Sequence, residues 1–171
     1  MVSVILLIEI CVTSIQVGRL TVSVAGDSLN GLWLEGQKYF PSLEKGYERV
    51  HKGYHDRVFR WLDSYFSGEV HDISCLDLSL IGTDFQILVW KELLRIPYGS
   101  TVTYGHISKK IASALGRKSM SAQAVGNAVG RNRISIIVPC HRVLGAYGSL
   151  TRYAGGTDRK EWLLRHERSL I

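Results

Sequence analysis

Ile134-Ser135-Ile136-Ile137-Val138-Pro139-Cys140-His141-Arg142-Val143 is an apolar run that ends on a cysteine set between a proline and two basic residues. The run predicts a short buried strand over 134–138 that delivers Cys140 at its end. Pro139 fixes its own φ and has no N–H, so the chain entering the cysteine is stiff and lacks one hydrogen-bond donor. A thiol becomes a nucleophile only as thiolate, which near neutral pH needs a base or a positive charge beside it, and His141 and Arg142 are both at hand. A free cysteine by itself is more often a small core hydrophobe than a reactive group.

Upstream of this stretch the pattern is helical. Thr83-Asp84-Phe85-Gln86 has the form of a capping box, and Phe85, Leu88, Val89, Trp90, Leu93 and Leu94 behind it make a core-facing stripe that stops at Pro97-Tyr98-Gly99. A second helix is predicted from Thr103 as N-cap, with Ile107, Ile111, Ala112 and Leu115 on one face. A third runs from Ser121 through Ala122, Val125, Ala128 and Val129. Two short helices followed by the 134–138 strand read as a helix-turn-helix with a wing-like addition, although helical hairpins also serve plain packing. Ala122, Ala124, Gly126 and Ala128 keep the third helix slim, which favours close, sequence-tolerant approach to a groove over base reading by long side chains.

The N-terminal part is β-rich up to Leu34, with turn residues at Gly18, Gly26-Asp27 and Asn30-Gly31, and predicts a small antiparallel sheet that begins with the apolar Val2–Ile8 run. That run is broken by Glu9 and has no basic segment before it, so it is too short for a membrane span and wrong for a signal peptide. Val58, Trp61, Leu62 and Tyr65 mark an amphipathic helix closed by Gly68, and residues 69–82 read as a connector with Leu76, Leu78 and Leu80 in alternation. At the far end, Gly155-Gly156 precedes a helix in which Asp158 and Glu161 have capping-box spacing and which carries Glu167.

Charge divides the chain. Residues 1–85 hold 7 Lys and Arg against 11 Asp and Glu, and residues 86–171 hold 14 against 4, so the net +6 is the sum of −4 and +10. Cations confined to the half with the cysteine motif fit a polyanionic partner. With 171 residues, 46% of them hydrophobic, there is material for one good core or two small ones. The cysteines at 11, 75 and 140 form no CxxC pair, which argues against a zinc knuckle or a secreted disulfide scaffold and for an intracellular protein.

Taken together, the 139–143 pentapeptide and the segments from about Gly82 to Glu167 closely resemble the O6-alkylguanine-DNA alkyltransferases, the methylated-DNA–protein-cysteine methyltransferases. The resemblance implies an α/β (α+β) chain. A small ribonuclease-H-like α/β domain over 1–80 would be followed by a helical winged-helix, helix-turn-helix DNA-binding domain over 81–171. It implies DNA repair by direct reversal: minor-groove binding of duplex DNA, extrusion of the damaged guanine, and single-turnover transfer of its O6-alkyl group to Cys140.

By the same resemblance, Cys140, His141 and Glu167 form the thiolate-generating relay, with a water between thiol and imidazole. Tyr104 assists departure of the guanine by donating a proton. Asn132 ties the recognition helix to the active-site segment, and Tyr153 and Ala154 line the alkyl pocket. The Ala154 amide would face the guanine oxygen, while the carbonyls of Val138 and Cys140 receive the exocyclic amine. Gln123 stands before Ala124-Val125-Gly126 where the family carries an arginine finger. Arg117 and Lys118, in extra residues between the two helices, are candidates for phosphate contacts, and Arg131 is the alternative finger.

No metal and no cofactor are implied. The expected partner is double-stranded DNA carrying O6-alkylguanine, bound by a monomer in the cytoplasm, or in the nucleus if the source is eukaryotic, with no membrane involved. A lesion-binding DNA module without transfer is the alternative, against which the presence of Cys140 argues. A cysteine hydrolase built on the same trio would differ by turning over repeatedly.

Overall fold

The computed structural model of the chain describes residues 5–10, 17–41, 47–49, 56–69, 72–151 and 153–168. The expectations for Val2–Val4 and Cys11 lie outside them. Four strands form one sheet in the order β3-β2-β1-β4: β1 (Ile5–Ile10), β2 (Leu20–Ala25), β3 (Ser28–Leu34) and β4 (Tyr47–Arg49). The predicted antiparallel pairing holds for β1 with β2 and β2 with β3, but β4 joins β1 in parallel and makes the sheet mixed.

Gly26-Asp27 makes the hairpin turn between β2 and β3, as expected. Asn30-Gly31, read as a second turn, lies inside β3 instead, beside a shift in register between Ser23 and Val24. Two contacts account for this. The Asn30 carboxamide is buried and accepts from Ser23 Oγ at 2.6 Å, and a Cβ on Gly31 would stand 1.9 Å from the Trp33 ring. The glycine marks a close approach within a strand, not a chain reversal.

The helices are α1 (Asp56–Ser67), α2 (Asp84–Leu93), α3 (Tyr104–Ala114), α4 (Ala122–Gly130) and α5 (Thr157–Arg168). Val58, Trp61, Leu62 and Tyr65 of α1 are buried as their spacing predicts. Thr83 and Gln86 close a reciprocal capping box on α2, and Thr103 and Ser121 cap α3 and α4. Two expectations fail. Leu115 is not on the buried face of α3 but ends the helix and is exposed. Asp158 is the second residue of α5, too late to cap it, and Glu161 pairs along the exposed face with Arg165 at 2.6 Å.

The buried apolar side chains form one continuous core from the sheet to the helices. Residues 134–138 are not a strand. Ile134 makes a single bridge to Leu32 on the edge of β3, after which the chain folds into tight turns with Ile136 at φ 70°. Leu32 N donates to Arg133 O and Ser135 N to Leu32 O, both at 2.8 Å; Val138 N returns to Ile134 O at 3.0 Å. Every residue from 134 to 140 is buried, so the segment shows no alternation, and a coiled buried loop reads in sequence like a buried strand. Its polar groups are satisfied locally, as burial requires. The edge of β3 thus fixes the position of the residues that lead into Cys140.

Candidate active site

Pro139 leads into a single 3-10 turn, Cys140–Arg142, whose three side chains are buried. Val143–Leu144 (β6) then pairs in parallel with Val102–Thr103 (β5), the pair that sets Tyr104 at the start of α3. Cys140 Sγ lies 3.0 Å from Asn132 Nδ2, which also donates to Val138 O at 2.9 Å, while Asn132 Oδ1 accepts from Ile134 N at 3.0 Å. Asn132 comes just after Arg131, the C-cap of α4, so one buried carboxamide joins the end of that helix to the cysteine turn.

His141 is fully buried, and its Nε2 is 2.6 Å from Glu167 Oε1. Glu167 collects four further donors: Arg142 Nε at 2.8 Å, Arg142 Nη2 at 3.0 Å, Tyr65 OH at 2.9 Å and Gly99 N at 3.2 Å. Burial alone would raise the Glu167 pKa, but the hydrogen bonds and charges of His141 and Arg142 outweigh it and bring the value down to about 2. For His141, burial wins over the attraction of Glu167 and lowers its pKa, so the imidazole is neutral near pH 7. Beside an ionised carboxylate, the neutral ring carries its proton on Nε2, leaving Nδ1 as the base. Nδ1 is buried and has no protein partner among the described residues.

Burial pushes the Cys140 thiol above its ordinary pKa; the Asn132 amide, the charge of Lys160 and the backbone N–H groups of Cys140 and His141 pull the other way. Lys160, on α5, is completely buried and donates to the carbonyls of Val143 and Thr151. Burial lowers its own pKa to about 8, which leaves it largely cationic at neutral pH. The resting thiol is therefore mostly protonated, in a setting already provided with donors for the thiolate.

Several of the remaining candidates line two neighbouring hollows that share Gly126. Tyr104 is nearly buried, and its hydroxyl stands 3.3 Å from Thr151 O. With Gln123, Ala122, Gly126 and Ala146 it lines a groove of about 550 Å³. Tyr153 and Ala154 line an adjoining pocket of about 280 Å³, against α4 at Gly126 and Gly130. The Tyr153 hydroxyl is buried without a partner among the described residues, and burial raises its pKa strongly. A Cβ on Gly155 would meet Leu34 at 2.5 Å and the Tyr153 ring at 2.8 Å, so this loop requires glycine to lie so close to the sheet. Gln123 and Arg131 are exposed at the two ends of α4, with Ala124 half-buried between them, and Arg117 and Lys118 are exposed in the turn after α3. The Val138 carbonyl already accepts from Asn132 Nδ2, and the Cys140 carbonyl from the backbone N–H of Val143.

Two residues of the site were not singled out by pattern, and a third takes a different role. Tyr65 reads as a core position of α1 but donates to Glu167. Lys160 looks like any charge on a terminal helix. Arg142, expected beside the thiol, is committed to the carboxylate and to Ile96 O at 2.7 Å. None of these long-range contacts has a local signature in the chain.

Residues 84–169 match the family model described as 6-O-methylguanine DNA methyltransferase, DNA binding domain. The chain is also 44% identical over 157 residues to the methylated-DNA–protein-cysteine methyltransferase of Mycobacterium tuberculosis, covering 90% of this chain and 88% of that protein. The chain belongs to this methyltransferase family. The Salmonella typhimurium member is 48% identical over 127 residues, 74% of this chain and 71% of that protein. The crystal structure of Mycobacterium tuberculosis OGT in complex with DNA superposes with a TM-score of 0.82 at 39% identity, covering 97% of this chain and 94% of that one. The O6-methylguanine-DNA methyltransferase of Pyrococcus kodakaraensis has a TM-score of 0.63 at 26% identity over 95% of this chain and 98% of that one. The methyltransferase fold here is thus mixed α/β with a helical DNA-binding part.

Proposed function

We propose that this protein repairs alkylated DNA by moving the O6-alkyl group of guanine onto Cys140, once per molecule. What carries the assignment to residues is the buried sequence of contacts Cys140–Asn132 and His141–Glu167, in which a thiol, a neutral imidazole with a free Nδ1 and an ionised carboxylate share one turn and one helix. His141 Nδ1 takes the Cys140 proton by way of a water, Glu167 stabilises the imidazolium, and Asn132 and Lys160 stabilise the thiolate. Sulfur attacks the alkyl carbon, the C–S bond forms as the bond to O6 breaks, and Tyr104 gives the departing guanine a proton, which the proton released from the His141 imidazolium to solvent replaces. The product is a thioether, which water does not hydrolyse under these conditions. Repair therefore stops at one alkyl group per protein. A hydrolase using the same trio would continue past one equivalent, so stoichiometry with an O6-methylguanine duplex separates the two readings.

The target atom is unreachable within the stack, so the guanine is extruded, at a cost of a few kcal/mol. Residues 1–80 act as a ribonuclease-H-like scaffold domain and 81–171 as a winged helix-turn-helix domain, working as a cytoplasmic monomer. The α4 residues Gln123 and Ala124 enter the minor groove, and the extruded base lies against Tyr153, between the Ala154 amide and the carbonyls of Val138 and Cys140. Asn132 holds that floor in place. Arg117 and Lys118 contact phosphates, and removing both charges makes the plot of log K against log salt shallower by roughly 0.9 for each phosphate no longer neutralised. An unchanged slope removes that loop from the interface.

Gln123 acts as the finger without arginine's charge, since its stem fills the gap and its amide can bond the orphaned base. Gln123→Ala slows transfer from duplex DNA by about tenfold or more, and affects transfer from free O6-benzylguanine far less, because only the duplex has a gap to fill. Equal loss on both substrates would make Gln123 a support of the pocket. No loss on either would pass the role to Arg131.

A further inference from the structure

The loop after β3 belongs by sequence to the sheet, yet it stands over the pocket beside Tyr153 and Ala154. Gln37 anchors it: the buried carboxamide oxygen accepts from Leu34 N at 2.8 Å and from Ser135 Oγ at 3.0 Å, just ahead of the catalytic turn. The next residue, Lys38, donates its backbone N–H to Ala154 O at 2.9 Å. Tyr39 follows at φ 64°, a left-handed conformation that costs a non-glycine residue on the order of 1 kcal/mol and is kept only where the surroundings enforce it. The ring is nevertheless 48% exposed.

Two cations gather on that ring. Lys38 Nζ is 5.1 Å from its centroid, and the Arg131 guanidinium, from the end of α4, is 4.7 Å from it. Both are exposed, and among the described residues neither has a carboxylate within ion-pair distance. Lys38 and Tyr39 line the same pocket as Tyr153, Ala154, Gly126 and Gly130. A strained aromatic thus holds two unneutralised positive charges, one from each half of the chain, at the mouth of the site.

We infer that Lys38, Tyr39 and Arg131 form a phosphate clamp that grips a DNA phosphodiester flanking the extruded nucleotide, with Tyr39 fixing the spacing of the two cations. This rests on the reading that the adjoining pocket takes that nucleotide. Bringing two charges onto one phosphodiester demands less reorganisation, because the ring already draws both side chains to itself.

The test uses the full chain, a lesion duplex in which each phosphodiester around the damaged guanine is replaced in turn by a neutral methylphosphonate, and free O6-benzylguanine. Wild-type protein should lose about fivefold in duplex affinity at one linkage next to the lesion. Lys38→Gln should lose a similar factor on the unmodified duplex, show a salt slope shallower by about one, and be indifferent to that same linkage. Tyr39→Ala should behave likewise and Tyr39→Phe should not, since phenylalanine keeps the ring. The Lys38→Gln loss should be several times greater for duplex than for free base. An unchanged salt slope with undiminished sensitivity to that linkage would overturn the clamp, and so would equal loss on duplex and free base, which would make Lys38 a prop for the Ala154 loop. Failure of the wild-type protein to transfer benzyl to Cys140 from the free base would instead refute the underlying reading.

Discussion

Cys140→Ser abolishes alkyl transfer and leaves duplex binding within a few-fold of the wild-type value. The serine hydroxyl is close in shape and can still accept from Asn132 Nδ2, which now reaches sulfur at 3.0 Å, so the turn and the face around α4 stay as they are. What disappears is acidity and nucleophilicity. A neutral imidazole cannot ionise an aliphatic hydroxyl to any useful extent, whereas the thiol needs only a modest shift. Single-turnover kinetics and gel-shift titration on the same lesion duplex check the two halves of this expectation separately. Residual transfer to another residue, or loss of binding in step with transfer, would contradict it.

Removing Glu167 has the next largest effect, and it reaches both stability and rate. Glu167→Ala leaves the Arg142 guanidinium, whose side chain is 11% exposed, without its counter-charge and takes an acceptor from Tyr65, His141 and the Gly99 amide. An uncompensated buried charge of this kind costs about 3–5 kcal/mol, a large part of the stability of an ordinary domain. Glu167→Gln is gentler on the fold and separates out the chemistry. It no longer specifies Nε2–H on His141 or stabilises the imidazolium, and transfer slows by about 10²–10³-fold with DNA affinity little changed.

The wild-type carboxylate also sets an acid limit. Its folded pKa lies at about 2, below the ordinary 4.5, so its contribution is complete above pH 4.5 and is lost as pH falls towards 2; it amounts to at most roughly 3 kcal/mol. His141, with a lowered pKa, begins to cost stability already below its ordinary 6.5, because the unfolded chain takes up the proton more readily. Thermal unfolding followed from pH 7 to 3 should show a falling midpoint, and Glu167→Gln should flatten the part of that fall below pH 4.5.

The helices of this protein are written locally and were legible. Thr83 with Gln86, Thr103 and Ser121 are capping signals spent within three residues of themselves, and the stripe on α1 needs only its own spacing to be recognised. The cysteine turn was legible in composition but not in conformation. A segment buried on every side has no periodicity to betray its shape, so Ile134–Val138 looked like a strand although Ile136 turns it at positive φ. Asn30-Gly31 misled for the opposite reason: a strong turn signal was overridden by a buried hydrogen bond to Ser23 and by the Trp33 ring. The parts of the site that sequence could not supply join distant positions. Tyr65 reaches Glu167 across 102 residues, and Lys38 meets Ala154 in a loop that Gln37 fastens to Ser135. Such contacts are set by packing of the finished core, and no local rule anticipates them.

Intact-mass measurement after incubation with an O6-methylguanine duplex, followed by peptide mapping, shows whether Cys140 is the sole acceptor. One adduct per chain with the mass of a single CH2 is expected, located on Cys140 and absent from Cys140→Ser, with no further demethylation once one equivalent has reacted. Continued turnover without an adduct, or an adduct on Cys75 or Cys11, would contradict it.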